Sequence, residues 1–213
     1  MAKVIKRNID VALAIGVGLT LLVISVIGIN GLIVVKQVEA QTTDTAAIAV
    51  SATVAQTIDI SVSSSALNFG TLSSGSVSAT NTNFIVATNA TNGYTVTIYD
   101  VGDAVTGGLY DSTTTALIAA PSGSASSTLT AGTQGYGAQC STTDADVNIY
   151  AVYNDWTGAN NVGPLATTTN NFTSSTAATV GDQSALYLRA AISGTSTAAT
   201  YYDTVTLTAT GSF

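Results

Sequence analysis

Beyond residue 40 the chain has no lysine, no glutamate and no histidine, and its only cation in 173 residues is Arg189. Each absence removes a class of chemistry. Without His there is no Ser-His or Cys-His nucleophile pair, and without Lys there is neither a Ser-Lys pair nor an isopeptide cross-link starting from a Lys amine. Ten Asp stand against Arg189, a net charge of −9 over residues 41–213. Such a surface repels nucleic acid, whose phosphates are bound by clustered Lys and Arg. Cys140 is the single cysteine, so no intramolecular disulfide forms and transition-metal ligand sets are excluded. No Asp is followed by Thr-Gly or Ser-Gly, the pattern of an aspartic protease. The glycines of Gly132-Thr-Gln-Gly135-Tyr-Gly137 lack the Lys of a phosphate loop. The sequence predicts a protein that is not an enzyme and takes no cofactor.

The missing cations are concentrated at the other end. Lys3, Lys6 and Arg7 precede an uncharged run of 25 residues, Val11 to Val35, and Lys36, Glu39 and Ala40 follow it. Basic, then apolar, then small is the order of an export segment. Val38-Glu39-Ala40 before Gln41 suits a signal peptidase, while the length of the run, above the roughly 20 residues that span a bilayer, suits a retained anchor. Residues 1–40 are therefore expected to form an apolar helix, either a cleaved signal or a membrane anchor. In both cases residues 41–213 are delivered outside the cell.

What is abundant after residue 40 is Thr, Ser, Ala, Gly and Asn, arranged with a period of two. Ile48, Val50, Ala52 and Val54, then Ile58, Ile60 and Val62, share one parity, with mostly polar residues between them. Such alternation puts one face of a strand in a core and the other in water. Further strands are predicted at 82–88, 94–99 after the Asn92-Gly93 turn, 147–153, 185–192 and 201–210. A long excursion over 100–139 has weaker strand signals near Leu109 and Leu117. No segment after residue 40 has a helical period. The predicted fold is all-β, an antiparallel β-sandwich over 41–213. Residues 41–56 are either its first strand or a segment donated to another molecule.

Few side chains qualify as ligand sites. Asp144-Ala-Asp146-Val-Asn148 carries part of the spacing of a calcium loop, with Asp155 eleven residues after Asp144. Ile149 stands where that loop needs Gly. Asp144, Asp146 and Asn148 are the weak calcium candidates, with Asp100, Asp103 and Asp111 as a second acidic group. Tyr150, Tyr153 and Trp156 form a candidate ligand patch, since flat rings with polar edges suit sugar faces. Asn89-Ala-Thr91 and Asn171-Phe-Thr173 match the glycosylation acceptor pattern. Arg189 is expected on an outer face beside an Asp.

Three stretches carry a family resemblance: Asn68-Phe-Gly-Thr-Leu72, Gly93-Tyr-Thr-Val-Thr-Ile98, and Thr200-Tyr-Tyr-Asp-Thr-Val-Thr-Leu-Thr-Ala209. Together they resemble the secreted immunoglobulin-like domains of the spore-coat U, WxL and fimbrial-subunit type. The chain lacks the paired cysteines of the first and third groups and the Trp-x-Leu of the second. The resemblance implies an Ig-like sandwich in a noncatalytic surface or filament protein that associates with itself or with other surface proteins. Its fimbrial branch implies donation of an alternating extension to a neighbour's groove, for which Ile48, Val50, Ala52 and Val54 are the candidate strand. The alternative reading is an adhesin or carbohydrate-binding module.

Overall fold

The computed structural model describes residues 21–23, 36–38, 43–122, 125–154 and 160–213. The chain divides into two units, Met1–Thr53 and Val54–Phe213. In the first, β1 (Leu21–Val23) pairs antiparallel with β2 (Lys36–Val38). This corrects the expected continuous helix: Leu21–Val23 falls inside the apolar run yet is extended. The run's many β-branched residues favour strands over helices. Among the described residues no helix is long and apolar enough to cross a membrane. The remainder of the predicted export segment lies outside the described residues.

The second unit is antiparallel β throughout. In chain order it holds β3 (Ile58–Val62), β4 (Ser78–Thr88), β5 (Tyr94–Asp100), β6 (Gly108–Asp111), β7 (Ala116–Ala119), β8 (Ser127–Thr128), β9 (Gly135–Thr142), β10 (Asn148–Ile149), β11 (Asn161–Val162), β12 (Asn170–Ser175), β13 (Thr179–Ala191) and β14 (Val205–Gly211). One four-stranded sheet runs β3-β4-β13-β9 and the other β10-β12-β5-β14, with β6-β7 and β11-β8 as small ladders. Period-two alternation feeds a single core from both sheets. Phe84 and Val86 of β4 and Leu186, Leu188 and Ala190 of β13 meet Val96 and Ile98 of β5 and Phe172 of β12. Phe172 is the hub, its ring centroid 5.8 Å from Phe84 and 5.0 Å edge-on from Tyr153. Fully burying one such aromatic side chain contributes about 1.5–3 kcal/mol.

The strands predicted at 82–88, 94–99, 185–192 and 201–210 are present, the last beginning only at Val205. One expectation is corrected. The strand predicted over 147–153 stops at Ile149, and Ala151–Tyr153 forms a 3-10 turn. That turn swings Tyr153 into the core, where its hydroxyl donates to the Pro164 carbonyl at 2.8 Å. The stretch 100–139, expected as a long excursion or extra hairpins, holds the β6-β7 hairpin and ends in most of β9, whose first six residues are all buried. Its glycines are required there: a Cβ on Gly137 would lie 2.6 Å from Val162 Cγ2, and one on Gly135 2.6 Å from Leu129 Cδ2.

A candidate assembly groove and its free strand

The two sheets leave one flank open. β3 pairs only with β4, and β14 only with β5, among the described residues. Between these edges runs a groove of about 1190 Å³, floored by Ile60, Leu186, Leu188 and Leu207 and walled by Phe69 and Tyr201. The inward side chains of β14, Val205, Leu207 and Ala209, are only partly buried, as are Ile58 and Ile60 of β3. Val86 and Val96, one strand inward in each sheet, are fully buried. The alternation of both edge strands is that of core strands, and their cover is incomplete.

Asn68 and Gly70 shape one wall. The Gly70 amide donates to Asn68 Oδ1 at 2.7 Å and Gly70 takes a left-handed φ of 68°. This side-chain-closed turn carries Phe69 against Tyr136, ring centroids 6.2 Å apart and edge-on. Two unpaired strand edges beside an apolar floor offer backbone hydrogen bonds to an added strand and pockets to its alternate side chains.

Among the described residues the segment with matching chemistry is unpaired. Residues 43–57 form no strand, and Ile48, Val50 and Val54 are 87%, 88% and 83% exposed, with Ala52 exposed beside them. Among the described residues the strand beginning at Ile58 does not extend back over 43–57. The exit point is held by Asn89, which the sequence reading treated only as a glycosylation acceptor. Its Oδ1 accepts the Thr57 amide at 2.8 Å and its Nδ2 donates to the Ala55 carbonyl at 2.7 Å. Thr88 Oγ1 also donates to the Thr57 carbonyl at 2.8 Å. The domain grips residues 55 and 57, and the apolar alternation lies ahead of that grip.

At one end of the groove sit three polar groups that the sequence reading did not assemble. Tyr136 of β9 donates its hydroxyl to Asp203 Oδ2 at 2.9 Å, tying the first sheet to the entry of β14. The Gly102 amide donates to Asp100 Oδ1 at 2.8 Å and, more weakly, to Asp203 Oδ1 at 3.4 Å. Burial, and then the neighbouring Asp203, push the Asp100 carboxyl up to about 8. Burial and Asp203 likewise hold the Tyr136 phenol well above its usual value. The signal was present: Asp100 continues the inward parity of Tyr94, Val96 and Ile98. A charged residue on a core face is the anomaly to look for.

The remaining candidates fall elsewhere. Asp144 spends its carboxylate on the Gln183 amide, linking the end of β9 to β13, while Asp146 and Asn148 are exposed. Among the described residues no three carboxylate, thiol or imidazole groups converge as a metal site would require. Asp103 and Asp111 each close a local turn, onto Val105 and Thr106 and onto Thr114, and these hydrogen bonds hold both carboxyls below their usual range. Asp155 and Trp156 lie outside the described residues. Tyr153 is a core residue and not a platform ring, because its hydroxyl finds a partner only inside; Tyr150 is partly buried. Cys140 is buried, and burial pushes its thiol up to about 12, so it is chemically quiet. Arg189 faces outward from its sheet, and its Nε donates to Gln139 Oε1 at 3.0 Å on the neighbouring strand β9. No protein-family model matches this chain, and no curated protein matches it by sequence.

Proposed function

We propose that this protein is a noncatalytic structural subunit of an exported surface assembly. In this reading its domain is an immunoglobulin-like β-sandwich with one open flank, and the alternating segment around Ile48, Val50, Ala52 and Val54 of one copy fills the groove between β3 and β14 of another. The observation that carries the reading is the coexistence, in one chain, of a groove with an apolar floor, polar walls and two strand edges free among the described residues, and an exposed segment of matching period. Seven residues of β14 present an edge of about 24 Å, and nine extended residues from 46 to 54 reach about 30 Å, so one segment covers the whole edge. The scarcity of charge on both surfaces removes the electrostatic penalty that burying a charged strand would carry.

Mixing two full-length variants tests this, one with Val50→Cys and the other with Val205→Cys. The native thiol stays out of exchange because it is buried. A disulfide joining the two different chains, lost when excess peptide of residues 46–55 is added before oxidation, is the expected result. Cross-linking confined to a single chain carrying both cysteines, with none between chains, overturns the proposal.

A further inference from the structure

The end of the groove holds an arrangement of acceptors that is one proton short. Asp100 is fully buried at the inward end of β5. Its Oδ1 takes the Gly102 amide, whereas its Oδ2 makes no well-aligned hydrogen bond among the described residues, with the Gly108 amide nearby. Around that oxygen the space is closed by the Gly107 backbone and the Leu165 carbonyl: a Cβ on Gly107 would lie 2.7 Å from Asp100 Oδ2 and 2.2 Å from Leu165 O. The Asp203 carboxyl shares the Gly102 amide with Asp100 Oδ1 and also accepts from Tyr136 and from the Thr204 amide. The titratable groups facing Asp100 are thus Asp203 from the entry of β14 and Tyr136 from β9. The loop after β5 and the start of β6 contribute only the amides of Gly102 and Gly108.

Two ionised carboxylates in this setting repel each other strongly, and a buried, unpartnered carboxylate oxygen costs several kcal/mol. One proton relieves both. A proton held by the pair neutralises one of the two charges and completes a chain from β9 through Tyr136 and Asp203 to β5. Asp203 and Tyr136 both line the groove, and Asp203 is two residues before β14, whose free edge faces it.

We propose that Asp100 and Asp203 share one proton that latches the start of β14, and that its loss on raising the pH loosens this end of the groove and weakens seating of the donated strand. This control rests on the self-assembly reading; the latch itself does not. Asp203 is the partly exposed member, so it is the carboxylate that moves outward when the proton leaves, taking the entry of β14 with it. The sign follows from linkage. A carboxyl whose folded value is raised stabilises the fold fully below its unfolded value near 4, and that contribution is lost progressively as pH rises to the folded value near 8.

Two measurements on the full chain carrying Val50→Asp, which disables donation, test the two parts separately. Thermal unfolding between pH 5 and 9 should show the midpoint falling by about 5 °C or more toward alkaline pH. Asp100→Asn, whose amide supplies a permanent donor, should flatten that profile, and Asp203→Asn should move its midpoint to lower pH by removing the neighbouring charge. Superimposable profiles for all three overturn the latch, as does recovery of the pH 9 midpoint by added calcium, which would make the pair a cation site. Binding of a fluorescent peptide of residues 46–55 should be several-fold weaker at pH 9 than at pH 6, and equal at both in the Asp100→Asn background. Equal binding in both backgrounds overturns control of the groove while leaving the latch standing. Absence of binding at either pH overturns that control together with the assembly reading, and the unfolding profiles still decide the latch.

Discussion

The two flanks of the domain differ in how they end. On one side β9, the edge of its sheet, is sealed: the Gly163 amide donates to the Ala138 carbonyl at 2.7 Å, Val162 packs against Gly137, and Tyr153 fills the space beneath. On the other side β3 and β14 have no strand beyond them among the described residues, and their apolar side chains remain partly exposed along a groove. An exposed, apolar strand edge invites pairing, and proteins normally block it with charge, proline or a covering loop. Here one flank is closed by a covering loop, while the other carries a single strand charge, Asp59 of β3, and loops that wall its groove without covering it. In the proposed reading the sealed flank serves stability and the open flank association.

Substitutions can break or sharpen that contrast. Phe172→Ala removes the ring on which Phe84 and Tyr153 pack and should cost about 4 kcal/mol in denaturant unfolding, enough to unfold a marginal domain. At the sealed edge, Gly137→Val forces atoms onto Val162 and the Gly163 carbonyl, and a loss of about 2–3 kcal/mol is expected by the same measurement. The open flank should respond less. Leu207→Ala, already partly solvated in the single chain, should lower monomer stability by about 1–2 kcal/mol yet weaken peptide binding more than tenfold in fluorescence titration. If it proves as costly as Phe172→Ala, β14 is an ordinary core strand and the contrast fails. Asn89→Ala releases the backbone at residues 55 and 57, with an expected cost of about 1 kcal/mol and faster amide exchange at Thr57. Smallest of all, Val50→Asp should shift unfolding by no more than about 0.5 kcal/mol, while a peptide of residues 46–55 carrying the same substitution should no longer bind in fluorescence titration.

Legibility in the sequence followed the strength of local alternation. β4, β5, β13 and β14 were readable because their inward residues repeat at two-residue spacing with branched or aromatic side chains. β9 was not, because Gly135 and Gly137 imitate a loop when their reason, the close approach of Leu129 and Val162, lies elsewhere in the chain. β12 escaped for a related reason: a bulge between Asn171 and Thr173 breaks its parity, and Phe172 is its one large apolar residue. Tyr153 was assigned to a surface patch because a sequence does not say which way a ring turns after a 3-10 turn. Asp144, Asp146 and Asn148 had part of a ligand spacing, but the Gln183 amide claims the first of them.

Some properties needed no tertiary structure. The want of Lys, His and Glu after residue 40 is a matter of composition, and with it go nucleic-acid binding through clustered cations and nucleophile pairs built on His or Lys. The parity of each strand is likewise local, since side chains alternate whatever the strand pairs with. Which strands become edges is different. Edge status depends on neighbours far away in the chain, so the same alternation yields a sealed strand in one place, a groove wall in another, and an unpaired segment at Ile48 to Val54. The meeting of Asp100 with Asp203 has the same origin. Asp203 alone reads as a solvated turn residue, and only the pairing of β5 with β14 brings it, still partly exposed, beside the buried Asp100 and under Tyr136.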